Sequence, residues 1–267
     1  VTGTVLKTAI KCGIKTALHE SNSLPGVSVK MLAPKADLVM LGTEDAKKHL
    51  GECKKCVVTG NPLRNNIPIE EKSAARKRLG LPDCLTILSA GGSQGASRLN
   101  EAVVQLLAYE QKKGNINHIH GYGKHGRDTF MQSLKDNGVD AGNPHFIIKE
   151  YIDNMYTCMC ASDLIITRAG AMTLTEITAI GRASVLIPYP YAAENHQYYN
   201  ALTLQNANAG RIIDDKELTG SVLIDTVNRL ADDPELLRLM SENAAKLSKR
   251  DAAGKILREI TELMGIK

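Results

Sequence analysis

Short apolar runs alternate along this chain with stretches patterned at helical spacing, and that alternation limits its fold more than any other feature. The runs are Ile14–Leu18, Ala36–Leu41, Cys56–Thr59, Leu85–Ser89, Ile116–His120, His145–Ile148, Asp163–Thr167, Ser184–Pro188 and Arg211–Ile213. Helical patterns lie between them, among them Ser97–Tyr109, Asp128–Asp136, Thr173–Ile180 and His196–Asn206. Strands this short and this apolar are buried on both faces, and helix-bearing connections join parallel neighbours, so the pattern predicts a parallel α/β sheet. Residues 61–80 break the rhythm: a Pro- and Asn-rich stretch from Asn61 through Asn65 and Asn66 to Pro68 precedes the charged helical pattern Glu70–Leu79. That break predicts two units, with a helical tail at Pro234–Leu247 and Asp251–Met264.

Several classes are excluded early. No run approaches the roughly 18 apolar residues of a spanning helix. The start, Val1-Thr2-Gly3-Thr4, has neither a Met nor a basic segment before an apolar core, so it is no signal peptide and reads as a chain that begins in mid-protein. Six cysteines in 267 residues form no disulfide scaffold and suggest a reducing, cytosolic compartment. Cys53-Lys-Lys-Cys56 has the spacing of half a zinc site, but no second pair follows, and solvent-side cysteines at a helix end are the expectation. Cys158-Met-Cys160 lies in an apolar stretch and is expected in the core.

The net charge of +4 falls entirely in residues 1–60, which hold nine Lys against five acids. Long-range attraction for an anionic surface would therefore come from that part. Lys7, Lys11 and Lys15 recur every four residues, the first two on a helical pattern whose other face offers Val5, Leu6 and Ile10. Such a helix can rest on anionic lipid or simply be solvated. The basic residues are not interleaved with stacking aromatics, so nucleic-acid binding is not expected.

Four segments could carry chemistry. Gly91-Gly92-Ser93-Gln94-Gly95 follows a strand and opens a helix, where tight glycine turns and helix-end N–H groups suit a phosphate. It lacks the spacing of a dinucleotide fingerprint, and taken alone it serves equally as a plain turn. Arg168-Ala-Gly-Ala171-Met172-Thr173-Leu174-Thr175-Glu176 repeats the arrangement. Thr173 and Glu176 there also read as a capping box, and a carboxylate so placed can accept both hydroxyls of a ribose. After another strand, Glu194-Asn195-His196-Gln197 could bond sugar hydroxyls, or Asn195 could be a helix cap. Upstream, His19-Glu20-Ser21-Asn22-Ser23 enters a helix through an expected Ser23 cap, and His19 is either a base or a hydrogen-bonded structural histidine.

With these motifs in view the chain resembles the MurG family, peptidoglycan glycosyltransferases that add N-acetylglucosamine (GlcNAc) from UDP-GlcNAc to lipid I, making lipid II. The resemblance rests on HESNSLPG (19–26), TGNPLR (59–64), GGSQGA (91–96), YID (151–153), RAGAMTLTE (168–176) and AAENHQYYNA (192–201), in order along essentially the whole chain. It implies a GT-B fold of two Rossmann-like domains: residues 1–60 a partial acceptor and membrane-side domain, 61–248 the UDP-GlcNAc domain, and 249–267 a helix packing back on the first. It implies Ser93, Gln94 and the phosphate loop Gly91, Gly92 and Gly95 at the donor diphosphate, with Arg64 adding charge. The Ile152 backbone would read the uracil, Ala171 to Thr175 would contact phosphate and ribose, and Glu176 would hold the ribose. Gln197, His196 and Asn22 would contact the sugar, although His196 stands where the family often has Gln.

The resemblance further implies inverting displacement, no cofactor and no metal, and a peripheral place on the cytoplasmic face of the bacterial membrane. Candidates for the base are His19 and Glu20. The family's glycine-rich loop ending in His has no counterpart here, so the expectation is a fragment impaired in turnover. The alternatives are a silent UDP-sugar-binding module or another GT-B enzyme such as a UDP-GlcNAc 2-epimerase.

Overall fold

Each of the nine apolar runs forms a strand, with its limits moved by three residues or fewer: β1 (Ala17–Glu20), β2 (Leu38–Leu41), β3 (Cys56–Val58), β4 (Leu85–Ala90), β5 (Ile116–Gly121), β6 (Phe146–Lys149), β7 (Leu164–Thr167), β8 (Ala183–Leu186) and β9 (Gly210–Ile212). The structure, a computed structural model, describes residues 2–64, 67 and 69–266. Val1 and Asn65, Asn66 and Pro68 of the connection read above lie outside the described residues, as does Lys267. All pairings are parallel, in two sheets ordered β1-β2-β3 and β6-β5-β4-β7-β8-β9. Parallel strands need long crossovers, and helices supply them. These are α1 (Thr2–Lys11), α2 (Val27–Leu32), α3 (Lys72–Leu79), α4 (Ser97–Lys113), α5 (Phe130–Asp136), α6 (Met155–Ala161), α7 (Ala171–Ile180), α8 (His196–Asn206), α9 (Gly220–Ala231), α10 (Pro234–Lys246) and α11 (Ala252–Met264).

The larger sheet is buried on both sides. One core packs Ile87, Leu99, Leu107, Ile166 and Leu223 under α4 and α9, and the other packs Leu88, Ile119, Met159, Ile177 and Leu204 under α6, α7 and α8. The smaller sheet has its own core around Leu18, Val39 and Leu41. α11 runs back to it: Lys255 Nζ donates to the Val58 carbonyl at 2.7 Å, Lys55 meets Glu259 at 2.8 Å, and Lys15 Nζ donates to the Leu263 carbonyl at 2.5 Å.

Local end signals were less dependable than periodicity. Ser23 caps nothing, since α2 starts at Val27 behind Gly26 and the Ser23 N–H reaches Asn200 on α8 instead. Helix α7 begins two residues before Thr173, so the capping box does not form. Asn195 occupies the position before α8 at φ 56° but makes no side-chain cap. Cys56 sits in β3 rather than at a helix end, and both Cys53 and Cys56 pack against the small core. Cys158 and Cys160 are buried as expected. On α1, Leu6 and Ile10 turn inward while Val5 faces out, so the three do not share one face. Val5, Ile14, Val27 and Met31 are each about 60% exposed, and Lys7 and Lys11 are exposed beside them.

Candidate functional site

From β4 the chain passes to β5 and β6 on one side, then returns to β7 on the other. The crevice outside the carboxyl ends of β4 and β7 is thus the point where strand order reverses, the usual ligand seat of open parallel sheets. The turns after these two strands stand side by side there, and each opens a helix. Neither α4 nor α7 has a side-chain cap at its N-terminus, so the first amides of both are left for a ligand.

The turn after β4 is shaped by its glycines. Gly92 and Gly95 have φ of 87° and 85°. A Cβ on Gly95 would lie 2.3 Å from the Tyr122 carbonyl, and one on Gly123 2.2 Å from Gly95 N, so this turn and the loop after β5 meet backbone to backbone. The Gln94 carbonyl accepts from His125 N–H at 2.8 Å, which leaves the Ser93 and Gln94 side chains exposed on the outer rim. Ile152 lies in the loop after β6, on the same sheet edge, its side chain buried against Gly121.

The turn after β7 is held by side chains. Gln197 Oε1 accepts from Ala169 N–H at 3.1 Å and Tyr189 N–H at 3.0 Å, so its NH2 is the half left to face a ligand. Asn200 Nδ2 donates to the Ala169 carbonyl at 3.1 Å. Arg168 pairs with Asp215 at 2.5 Å, donates to the Ile187 carbonyl at 3.2 Å and lies over the Tyr189 ring. Gly170 has an ordinary φ of −66°, and a Cβ there would touch only Thr173 Oγ1 at 3.8 Å. Ala171 and Thr173 are half-buried and Met172 is exposed, while the Leu174 side chain faces the core. The Thr175 hydroxyl donates to the Ala171 carbonyl and accepts from Asn61 Nδ2.

Glu176 Oε1 accepts from the Tyr156 hydroxyl at 2.9 Å. Burial and that bond push the Tyr156 phenol up, and Arg64 opposes the shift, which puts Arg64 within electrostatic reach of the same corner. His196 Nδ1 donates to the Ala193 carbonyl at 2.8 Å, leaving Nε2 outward.

The first domain closes the other side. His19 Nε2 donates to the Gly60 carbonyl at 3.0 Å, the structural alternative of the sequence reading. Glu20 is buried and holds its own loop: Oε1 accepts from the Asn22 N–H and Nδ2, and Oε2 from Gly26 N–H. Both expected base candidates are therefore committed to structure. Asn22 Oδ1 accepts from Asn200 Nδ2 at 3.1 Å, and Asn200 Oδ1 accepts from Ser23 N–H at 2.8 Å, so Asn200 bridges the domains. Lys30 meets Glu194 across the gap at 3.0 Å. Behind this junction is a cavity of about 400 Å3 bordered by Ser21, Thr43, Asn61, Thr175 and Thr203. A larger hollow of about 620 Å3 opens at the amino ends of β4 and β8, away from the site. Its buried cations are spent on Asp83, Asp163 and backbone carbonyls, so it offers no free charge to a ligand.

The structure thus gathers Ser93, Gln94, Ile152, the α7 start, Glu176 and Gln197 on one edge. Tyr156, Arg168 and Asn200 were missed as site-building residues. Arg168 and Asn200 lay inside quoted motifs without a sign of their partners, and Tyr156 carried no signal.

Residues 86–256 match the glycosyltransferase family 28 C-terminal domain. The chain is 37% identical over 266 residues to the UDP-N-acetylglucosamine–N-acetylmuramyl-(pentapeptide) pyrophosphoryl-undecaprenol N-acetylglucosamine transferase of Desulforamulus reducens, a match covering 99% of this chain and 72% of that protein. Among solved structures it is similar to Acinetobacter baumannii MurG, with TM-score 0.79 and 27% identity over 97% of this chain and 70% of that one. It also shares its fold with a UDP-GlcNAc 2-epimerase from Neisseria meningitidis, at TM-score 0.66 and 14% identity over 98% of this chain and 73% of the other.

Proposed function

The chain belongs to the MurG family of glycosyltransferase family 28, and we propose on that premise that it transfers GlcNAc from UDP-GlcNAc to lipid I, forming lipid II for peptidoglycan. The observation that carries this reading is the pair of uncapped helix N-termini meeting at the strand-order reversal, where a nucleotide diphosphate finds amides from both sides. The α4 and α7 amides hold the diphosphate, with Ser93 and Gln94 on its rim and Arg64 adding charge. Glu176 takes the ribose through Oε2, Tyr156 fixing its other oxygen. The Ile152 backbone meets the uracil. Gln197 offers its NH2, and Asn22, turned by Glu20 and Asn200, approaches the sugar from the first domain.

The reaction is an inverting displacement in which the acceptor C4 hydroxyl attacks the anomeric carbon and UDP departs. Charge grows on the leaving diphosphate, and preorganised amides that already point at it lower the barrier. The acceptor is lipid-linked, and the exposed Val5, Ile14, Val27 and Met31 beside Lys7 and Lys11 suit the anionic cytoplasmic face of a membrane.

Calorimetric titration of the full chain with UDP-GlcNAc and UDP-galactose, followed by a transfer assay on a lipid I analogue, tests the reading. Tighter binding of UDP-GlcNAc together with GlcNAc transfer is the expected result. Binding without transfer leaves a silent nucleotide-sugar module, formation of UDP-N-acetylmannosamine, or of N-acetylmannosamine and UDP where water cleaves the sugar, indicates an epimerase, and absence of UDP binding overturns the site.

A further inference from the structure

Beneath the turn after β4 runs a chain of hydrogen bonds that neither donor binding nor transfer uses. Glu110 Oε2 on α4 meets His118 Nδ1, His118 Nε2 meets Ser89 Oγ, and Ser89 Oγ meets His120 Nδ1, each at 2.7 Å. All four side chains are buried, with at most 1% exposure. The two ends, Glu110 Oε1 and His120 Nε2, have no partner among the described residues. Phe130 of α5 stacks on His120 at 4.7 Å and on Tyr122 at 5.2 Å, and Phe146 and Ile148 of β6 stand in register beside His118 and His120. Among the described residues, His118 is the only titratable partner acting on either Glu110 or His120. His145 Nδ1 meets Asn117 Oδ1 and Cys84 meets His145, and the Asn117 side chain alternates to the opposite face of β5.

Proton counting leaves this chain three arrangements: two with four protons, which differ only in whether the Glu110–His118 proton stays on the carboxyl or makes an ion pair, and one with three; burial among apolar side chains disfavours the ion pair. Each of its three links needs one proton, and Ser89 has only one to give. If the Glu110 carboxyl is protonated and donates to His118 Nδ1, then His118 Nε2–H donates to Ser89, Ser89 donates to His120 Nδ1, and His120 carries its proton on Nε2. The four groups are then uncharged. Remove one proton to solvent and every link must reverse: His118 Nδ1–H donates to an ionised Glu110, Ser89 donates to His118, and His120 Nδ1–H donates to Ser89. That state leaves one negative charge buried, with an ionised oxygen unpaired at Oε1, which is the costlier orphan.

We propose that Glu110, His118, Ser89 and His120 form a proton-gated positioning network for the donor turn, uncharged with four protons when the diphosphate is bound and singly negative, with its bonds reversed, when one proton is lost. Ser89 lies two residues before Gly91, and the charge of the three-proton state rests on Glu110, thirteen residues along α4 and so roughly 15–20 Å below the amides that must hold an anion. By linkage, the donor favours the protonated network and its affinity falls as pH rises. Burial pushes the Glu110 carboxyl up against the pull of His118, and burial with His118 holds the His120 imidazole well below its ordinary value. The signs agree. Glu110 contributes stability that is full below the ordinary carboxylate range and lost as pH rises through its folded value. His120 contributes stability that is present above the ordinary imidazole value and lost as pH falls.

The inference rests on the donor reading only for its second test. Long-range 1H–15N NMR of the full chain at pH 7 reads the tautomers directly. Nε2–H on both His118 and His120, with neither ring cationic, is expected; Nδ1–H on both, or an imidazolium at His118, overturns the network. Calorimetric UDP titration from pH 6 to 9 then compares wild type with Glu110→Gln, whose amide donates to His118 as the neutral carboxyl does. Wild-type affinity should weaken about fivefold, as a unit charge roughly 15–20 Å away at an effective dielectric of about 20 would produce, while the variant stays flat within about twofold. Ser89→Ala, which removes the middle link and leaves Glu110 to ionise against His118 alone, should shift the profile along the pH axis without flattening it. Superimposable profiles for wild type and both variants overturn the gating, and a wild type that binds UDP at no pH overturns the donor reading while the tautomers still judge the network.

Discussion

The turns after β4 and β7 are neighbours at one crevice and are held by opposite means. The first is fixed by backbone: left-handed glycines, carbonyls bonded to the next loop, and a contact between Gly95 and Gly123 too close for any side chain. The second is fixed by side chains from afar, with Gln197 and Asn200 on the Ala169 peptide and Asp215 on Arg168. A backbone-locked turn is rigid at no cost in side-chain order but tolerates no Cβ. A side-chain-locked turn can report on its surroundings, because the residues that hold it also touch the first domain and the expected sugar.

Substitutions can break or sharpen that contrast. The largest effect is expected from Gly95→Ala, where a positive φ and a contact with the Tyr122 carbonyl combine to cost about 3 kcal/mol in urea unfolding. A loss under about 1 kcal/mol would mean that the first turn is less locked than its geometry indicates. Next, Gln197→Ala leaves the Ala169 and Tyr189 N–H groups without their acceptor and should cost about 2 kcal/mol. Gln197→Glu keeps the acceptor and should restore stability while losing the preference for UDP-GlcNAc over UDP, measured by calorimetry. Equal losses in both variants would remove the sugar role. The smallest change in stability belongs to Gly170→Ala, which should be neutral or stabilising by about 0.5 kcal/mol because φ is ordinary and the space is open. Its UDP affinity should nevertheless fall about tenfold if the diphosphate approaches the backbone there, and an unchanged affinity would move the diphosphate away from α7.

These differences track what could be read in advance. The glycine turn after β4 was legible because a Gly-rich segment between a strand pattern and a helix pattern has few backbone solutions. At the second turn the residues were visible but their roles were not. Thr173 and Glu176 fit a capping box by spacing, yet α7 starts earlier and Glu176 is engaged by Tyr156, twenty positions away. Ser23 looked like a helix cap and instead bonds Asn200 in the other domain. His19 and Glu20 had the residue types of a base, and only their hydrogen bonds show them holding the Gly60 carbonyl and the loop from Asn22 to Gly26.

Apolar periodicity marked the nine parallel strands, because burial on both faces and helical crossovers are written in local pattern, while the Pro- and Asn-rich break marked the division into two units and the ordered motifs carried the likeness to the family. Tertiary structure alone decided which polar groups are spent and which are left for a ligand, and it alone brought Ser89, Glu110 and two histidines into one buried chain. A hydrogen bond between residues tens of positions apart depends on register and packing, which no local spacing encodes.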